Sequence, residues 1–305
     1  MKIAIAGYGV VGRGTHELLM MNREKIAARA GEEIEVKYVL DPKPLEGTPA
    51  ESLRASGIEE ILADPEVQLL VEAIGGVGPA YEYVKAALES GRSVVTPNKQ
   101  LVAEKGAELL AIAKEKNVGF LFEACVAGGT PVLHPISQCL WANDLDLAAG
   151  ILNGTTNYIL TKMVQEGAGF EETLRDAQRL GYAEADPTAD IEGIDACRKA
   201  CILSDLLFGK HTDPNKVFAQ GITRITAADV DGEVLDALDD GIIVLGGLSY
   251  FMKKYLHDPE VEKEVPEIYS RSDADAVFRS TPTLFTQSST TPLSASPSFF
   301  WFISC

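Results

Sequence analysis

Residues 2–12 read KIAIAGYGVVG: a short apolar run, Lys2–Ala6, then glycines at Gly7, Gly9 and Gly12, then a helical pattern through Thr15, Leu18 and Leu19. This is strand, glycine turn, helix. Gly7 permits the tight turn, Gly9 lets a pyrophosphate approach the backbone, and Gly12 lets helix and strand pack closely, with the anion at the helix amino terminus. Val10 and Val11 lie in the same turn and join the three glycines as cofactor-binding candidates. The next apolar run, Glu35–Leu40, reads as a strand ending at Asp41, where an acid can accept hydrogen bonds from an adenosine ribose. Lys43 follows closely and keeps a ribose phosphate open, so NAD and NADP both remain candidates. The competing account is a glycine turn in a doubly wound sheet that holds no nucleotide.

Strands and helices alternate onward as a parallel α/β domain requires. A helix is expected over 50–62, a strand over Val67–Ile74 running into Gly75-Gly76, and a helix over Pro79–Ser90 closed by Gly91. Ser93–Thr96 reads as a strand, Leu101–Lys116 as a helix and Gly119–Phe122 as a further strand. Ligands in such sheets sit at the carboxyl ends of the strands, which is where Gly75, Gly76, Thr96 and Lys99 fall. The expected architecture is therefore a Rossmann-type doubly wound parallel sheet at the amino terminus followed by a second, α+β domain. The expected boundaries are 1–130 for dinucleotide binding, 131–270 for substrate binding and dimerisation, and 271–305 for an atypical tail.

Composition narrows the partners. The 305 residues carry 27 basic and 45 acidic side chains, a net charge of −18, which opposes binding to nucleic acid or to an anionic membrane. No apolar run approaches the roughly 20 residues that a bilayer requires. The five cysteines show no Cys-x-x-Cys and no framework spacing, and the four histidines no zinc spacing. A cytoplasmic protein acting on a small molecule is expected.

Beyond the first domain the densest chemistry lies in Ala177–Lys199, AQRLGYAEADPTADIEGIDACRK, where Glu184, Asp186, Asp190, Glu192 and Asp195 crowd ahead of Arg198 and Lys199. The run from Ile194 to Phe208 is apolar on nearly every face of a helix and should be buried. Asp195 and Lys199, four apart, share one face, and buried charges need each other or a ligand. A structural ion pair and an active-site edge explain that spacing equally well. The segment Glu123–Pro135 mixes one acid with small residues and glycines. That composition suits carbonyl oxygens around a hard cation or a hinge between domains. Asn153-Gly154-Thr155-Thr156-Asn157 reads as a helix cap or as a turn presenting amides and hydroxyls.

Together these residues resemble the homoserine dehydrogenase family. Its signature is met at Ala177, Gly181, Tyr182, Ala183, Asp186, Pro187, Asp190, Gly193, Asp195 and Lys199. Its nucleotide turn matches Gly7–Gly12, its Pro-Asn-Lys loop Pro97-Asn98-Lys99, its Glu-Ala-x-Val-Ala-Gly-Gly segment Glu123–Gly129, and its Asn-Gly-Thr-x-Asn segment Asn153–Asn157. The resemblance implies interconversion of L-homoserine and L-aspartate 4-semialdehyde with NAD or NADP, in threonine, methionine and isoleucine biosynthesis. It implies Lys199 as the proton donor and Lys99 as a second catalytic cation. Glu184, Asp190, Asp195, Gly154, Thr155 and Tyr182 would bind substrate, with Glu184 and Asp195 on its ammonium. Glu123 with the carbonyls of Val126, Gly128 and Thr130 resembles a structural monovalent-cation site, for Na or K. A homodimer is implied as well.

The resemblance is read as far as about residue 226. From there to 305 the sequence departs from the family pattern and ends in a Ser/Thr/Pro-rich stretch with an aromatic tip, a composition of disorder. Two alternatives to an active enzyme follow: a truncated or frame-shifted relative that binds dinucleotide with little turnover, and a non-catalytic dinucleotide-binding protein.

Overall fold

Ile3, Ala4, Ile5 and Ala6 have at most 2% exposure, so the first strand is covered on both faces, as a central parallel strand must be. The computed structural model describes residues 1–140, 150–209 and 211–226. It divides into two compact units, the first Met1–Gln138 and the second beginning at Cys139.

In the first unit β1 (Lys2–Ala6), β2 (Glu35–Leu40), β3 (Val67–Glu72), β4 (Ser93–Val95) and β5 (Phe120–Leu121) form one parallel sheet in the order β2-β1-β3-β4-β5. The order reverses between β1 and β3, which opens a crevice at the carboxyl edge beside β1. Helices α1 (Val10–Met21), α2 (Arg23–Ala30), α3 (Ile58–Ala63), α4 (Gly78–Glu89), α5 (Lys99–Lys116) and α6 (Leu133–Cys139) complete the unit. Ile3, Ile5, Tyr8, Val36, Val39, Leu45, Ala50 and Val71 form one core cluster, each large apolar side chain contributing about 1.5–3 kcal/mol by burial.

Several expected boundaries move: strands end earlier, β3 at Glu72, β4 at Val95 and β5 at Leu121, and two helices change more. The helix expected over 50–62 is a short turn at Glu51–Leu53 and then α3, because Arg54 bridges β2 at Val39 and the Glu60 carboxylate takes the Ser56 N–H and hydroxyl, each at 2.8 Å. The helix expected from Leu101 begins at Lys99, since the Asn98 side chain accepts the Leu101 N–H at 3.1 Å and so caps it.

In the second unit the described elements are α7 (Gly154–Glu166), α8 (Phe170–Arg179), α9 (Thr188–Ile191), α10 (Ile194–Phe208) and a short 3-10 turn at Pro214–Lys216. Ile159, Met163, Ala177, Ala183, Ile222 and Ile225 pack as its core. Helix α10 is not buried all round: Ala196, Cys197, Cys201, Ile202 and Leu203 are covered, whereas Ile194 is 38% and Phe208 41% exposed. The strands expected of an α+β domain and the atypical tail lie outside the described residues. Among the described residues no helix is long and apolar enough to cross a membrane.

Candidate active site

The glycine turn of the first unit has the shape its spacing predicts. Gly7 takes φ +94°, and a Cβ on Gly12 would sit 1.9 Å from the Gly7 carbonyl oxygen, so strand end and helix start touch backbone to backbone. Gly9 faces open space, Val10 is 92% and Val11 51% exposed, and no side chain caps α1. Uncapped N–H groups at an open helix start are an anion site. Asp41, at the end of β2, is tied to this turn: Oδ2 accepts the Tyr8 N–H at 2.6 Å and Oδ1 the Lys43 N–H at 2.8 Å. Each oxygen keeps a lone pair for a ribose hydroxyl. Turn, helix start and acid thus fit the pyrophosphate and ribose of a dinucleotide.

Further along the same sheet edge, Gly75 and Gly76 follow β3, and Thr96 and Lys99 follow β4. Thr96 is buried, and Lys99 is half-buried as the first residue of α5. Burial pushes the neighbouring Cys125 thiol up to about 12, with the Glu72 carboxylate adding to the shift and the Lys99 ammonium opposing it. Lys99, half-buried, thus lies within electrostatic reach of the Cys125 side chain.

The segment after β5 is organised by Glu123. Its Oε1 accepts the N–H groups of Val132 and Leu133 at 2.5 and 3.0 Å, and Oε2 that of His134 at 2.7 Å, so the carboxylate caps α6. Val126, Gly128 and Thr130 lie in the intervening turn, in which Ala127 has φ 60° and Gly128 φ 55°. With three of roughly four carboxylate lone-pair positions taken, Glu123 retains little capacity for a cation. Among the described residues no group of three or more His, Cys, Asp or Glu is placed to hold a metal.

The second unit gathers the remaining candidates. Lys199 Nζ lies 2.8 Å from Asp195 Oδ2 and also donates to the Leu152 carbonyl, the two side chains being 14% and 6% exposed. The Asn153 amide donates to Asp195 Oδ2 at 3.0 Å and to Asp190 Oδ1 at 2.7 Å, holding together two acids that would otherwise repel. Thr155 Oγ1 lies 2.9 Å from Asp190 Oδ2 and 2.8 Å from the Tyr182 carbonyl. Gly154 is the first residue of α7, directly beside this cluster in the chain. The Tyr182 ring packs on Tyr158 at 4.8 Å yet remains 58% exposed. Glu184 stands apart: its side chain is exposed, and it is its backbone carbonyl that Gln178 holds, at 3.1 Å. The signature residue Asp186 takes the Thr188 hydroxyl and N–H, which start α9 and lower its carboxyl below the usual range.

Sequence reasoning missed Asn153 and Leu152 as members of this cluster. The cap at Asn153 was legible, and the structure confirms it through the Thr156 N–H at 2.8 Å. What the pattern cannot show is that the other end of the same amide reaches acids 37 and 42 positions later.

Comparison with known proteins matches this division. Residues 7–123 match the family model described as homoserine dehydrogenase, NAD binding domain, and residues 131–252 match that of homoserine dehydrogenase, which runs past residue 226 where the pattern was expected to end. The homoserine dehydrogenase of Pseudomonas aeruginosa is 46% identical over 248 residues, 81% of this chain and 56% of that protein. That of Bacillus subtilis is 41% identical over 75% of this chain and 54% of its own length. The chain thus spans about half the length of the curated relatives it matches. Among solved structures, a homoserine dehydrogenase from Thiobacillus denitrificans superposes with a TM-score of 0.70 at 42% identity, over 80% of this chain and 56% of that one. A hyperthermophilic archaeal homoserine dehydrogenase in complex with NADPH gives 0.64 at 29% identity, over 74% of this chain and 76% of that one.

Proposed function

Because this chain belongs to the homoserine dehydrogenase family, we propose that it interconverts L-homoserine and L-aspartate 4-semialdehyde using NAD or NADP. The observation that carries this reading is the pairing of Lys199 with Asp195 beside the Leu152 carbonyl, inside a cluster that Asn153 and Thr155 complete. An alcohol that gives up hydride must also give up its hydroxyl proton, so a group that moves a proton must stand at that oxygen. A bound nicotinamide cofactor would supply the acceptor or donor for that hydride. Lys199 takes the part of proton donor to the aldehyde oxygen, and Asp195 and Leu152 hold its ammonium in one place. Lys99 keeps the part of second catalytic cation that the family resemblance implies.

Asp190 and Asp195 are suited to the substrate ammonium, with Gly154, Thr155 and Tyr182 at the edge of the pocket. Glu184 joins them in this reading, since an exposed side chain is free to turn toward an incoming ammonium. Gly7, Gly9, Val10, Val11, Gly12, Asp41, Gly75, Gly76 and Thr96 take the dinucleotide. A monovalent ion, Na or K, at Glu123 and the carbonyls of Val126, Gly128 and Thr130 belongs to the same reading. It requires the carboxylate to give up part of its hold on α6. A cytoplasmic homodimer completes the proposal and fits the free state of Cys125, Cys139, Cys197 and Cys201.

The test is reduction of NAD or NADP by the purified protein with L-homoserine, run beside Lys199→Ala. Turnover that the variant loses supports the reading. A wild-type protein that binds dinucleotide without turnover would instead favour the inactive relative.

A further inference from the structure

Glu72, the last residue of β3, is fully buried, and none of the roles proposed above uses it. A buried carboxyl group is costly unless hydrogen-bonded. Its bonds run in a particular direction. Oε1 accepts the N–H groups of Ile74 and Gly75 at 2.7 and 3.1 Å, the turn that leaves β3. Oε2 accepts the Thr96 hydroxyl at 2.5 Å, at the end of β4. Thr96 Oγ1 in turn accepts the Asn98 N–H at 2.9 Å, and the Asn98 amide donates to the Gly76 carbonyl at 2.6 Å. The chain of bonds therefore closes on itself across two neighbouring strand ends.

The first of these loops is also anchored where it leaves β3, by the Ala73 N–H on the Ala6 carbonyl at 2.7 Å. Gly75 and Gly76 have φ of +84° and +68°, both are exposed, and no atom lies within 4 Å of where a side chain would begin. With no side chains to pack at these two glycines, Glu72 holds the Gly75 N–H and Asn98 the Gly76 carbonyl. The turn's place in the sheet says what its form is for. The pyrophosphate belongs at the start of α1 and the adenosine ribose at Asp41 on β2, so in the order β2-β1-β3-β4 the other half of a dinucleotide passes over the ends of β3 and β4.

We propose that Glu72 is the positioning residue of the nicotinamide half of the cofactor site, holding the Gly75-Gly76 turn and the Thr96–Asn98 loop in their binding shape through Thr96. This rests on the dinucleotide reading above. Lys99, the next residue after Asn98, is set in place by the same loop.

The experiment compares affinities for ADP, which carries only the adenine half, with those for NADH and NADPH, in the wild type and in Glu72→Gln. Glutamine keeps the size and an acceptor but turns an amide toward Thr96. Binding of the reduced dinucleotide should weaken about tenfold, the loss expected for one hydrogen bond to a charged group, while ADP binding holds. Glu72→Asp, which keeps the carboxylate but shortens its reach to Thr96, should reproduce that split, which carries the test if Glu72→Gln folds poorly. Equal losses for ADP and dinucleotide, or no loss, would overturn the proposal. A wild type that binds neither probe would overturn the dinucleotide reading and this proposal with it. Tight, Glu72-dependent binding without homoserine turnover would overturn only the proposed activity.

Discussion

Asp195 Oδ2 receives two donors at once, the Lys199 ammonium at 2.8 Å and the Asn153 amide at 3.0 Å. One oxygen therefore fixes both the residue proposed to move a proton and the residue that caps α7. Lys199 is a side chain 14% exposed whose ammonium is held from two directions, an arrangement that limits its positions to those facing the cluster. Lys199→Ala should reduce turnover by roughly a hundredfold or more, the usual worth of a placed acid or base. Dinucleotide affinity, measured by quenching or energy transfer with the reduced cofactor, should stay unchanged. A parallel loss of affinity would mean that Lys199 serves binding or folding instead.

Asn153 bridges two carboxylates. Removing its amide in Asn153→Ala should destabilise the second unit by about 1–3 kcal/mol, from buried acceptors left without a donor and from the lost cap. In Asn153→Asp the cap survives, but a third carboxylate joins Asp190 and Asp195, so the KM for homoserine should change while the cap contribution is retained. Urea unfolding and steady-state kinetics read these separately. An aspartate variant identical to wild type in both would show that the amide is not what holds the acids.

Gly12 admits no side chain. Because a Cβ there would meet the Gly7 carbonyl oxygen at 1.9 Å, Gly12→Ala must push α1 away from β1. Loss of reduced-dinucleotide binding is expected, together with a lower melting temperature, since overpacked contacts cost about 1–3 kcal/mol. Gly14→Ala, on the same helix with open space at its Cβ, is the control and should lower neither.

His16 lies buried beneath the glycine turn, with Nδ1 2.8 Å from the Tyr8 hydroxyl. Burial holds its imidazole below the ordinary histidine value of 6.5, and Glu17 offsets part of that shift. A folded value lower than the unfolded one means that the unfolded state binds the proton first as pH falls. The stability involved is fully present above about pH 6.5 and is lost as the pH falls through the folded value. Denaturation midpoints measured downward from about pH 7 should show this loss in the wild type, and His16→Gln should flatten it over that window. An unchanged slope in the variant would place the titration elsewhere.

Much of the first unit was readable because parallel strands are short, mainly apolar runs and their turns need particular residues. Glu35–Leu40 was read with the boundaries that the structure shows. The helix expected over 50–62 was not, because the Ser56–Glu60 contact and the bridge from Arg54 to Val39 depend on side chains and on a strand distant in sequence. At the cluster of the second unit the residue types and the Asp195–Lys199 spacing were legible, since residues four apart on a helix share a face. The link to Asn153 was not.

The sequence by itself therefore determined the strand–turn–helix start, the acid at the end of β2, the family and the candidate proton donor. The first two follow from local geometry, and the family and the candidate proton donor from the resemblance that motifs in several segments carry. Only the tertiary structure decided that Asn153 joins Asp190 to Asp195, that Glu123 caps α6, and that Glu72 ties the end of β3 to the end of β4. The reason is physical: a hydrogen bond forms between groups about 3 Å apart. Sequence periodicity reports distance within one helix or strand, and folding alone sets the distance between two of them.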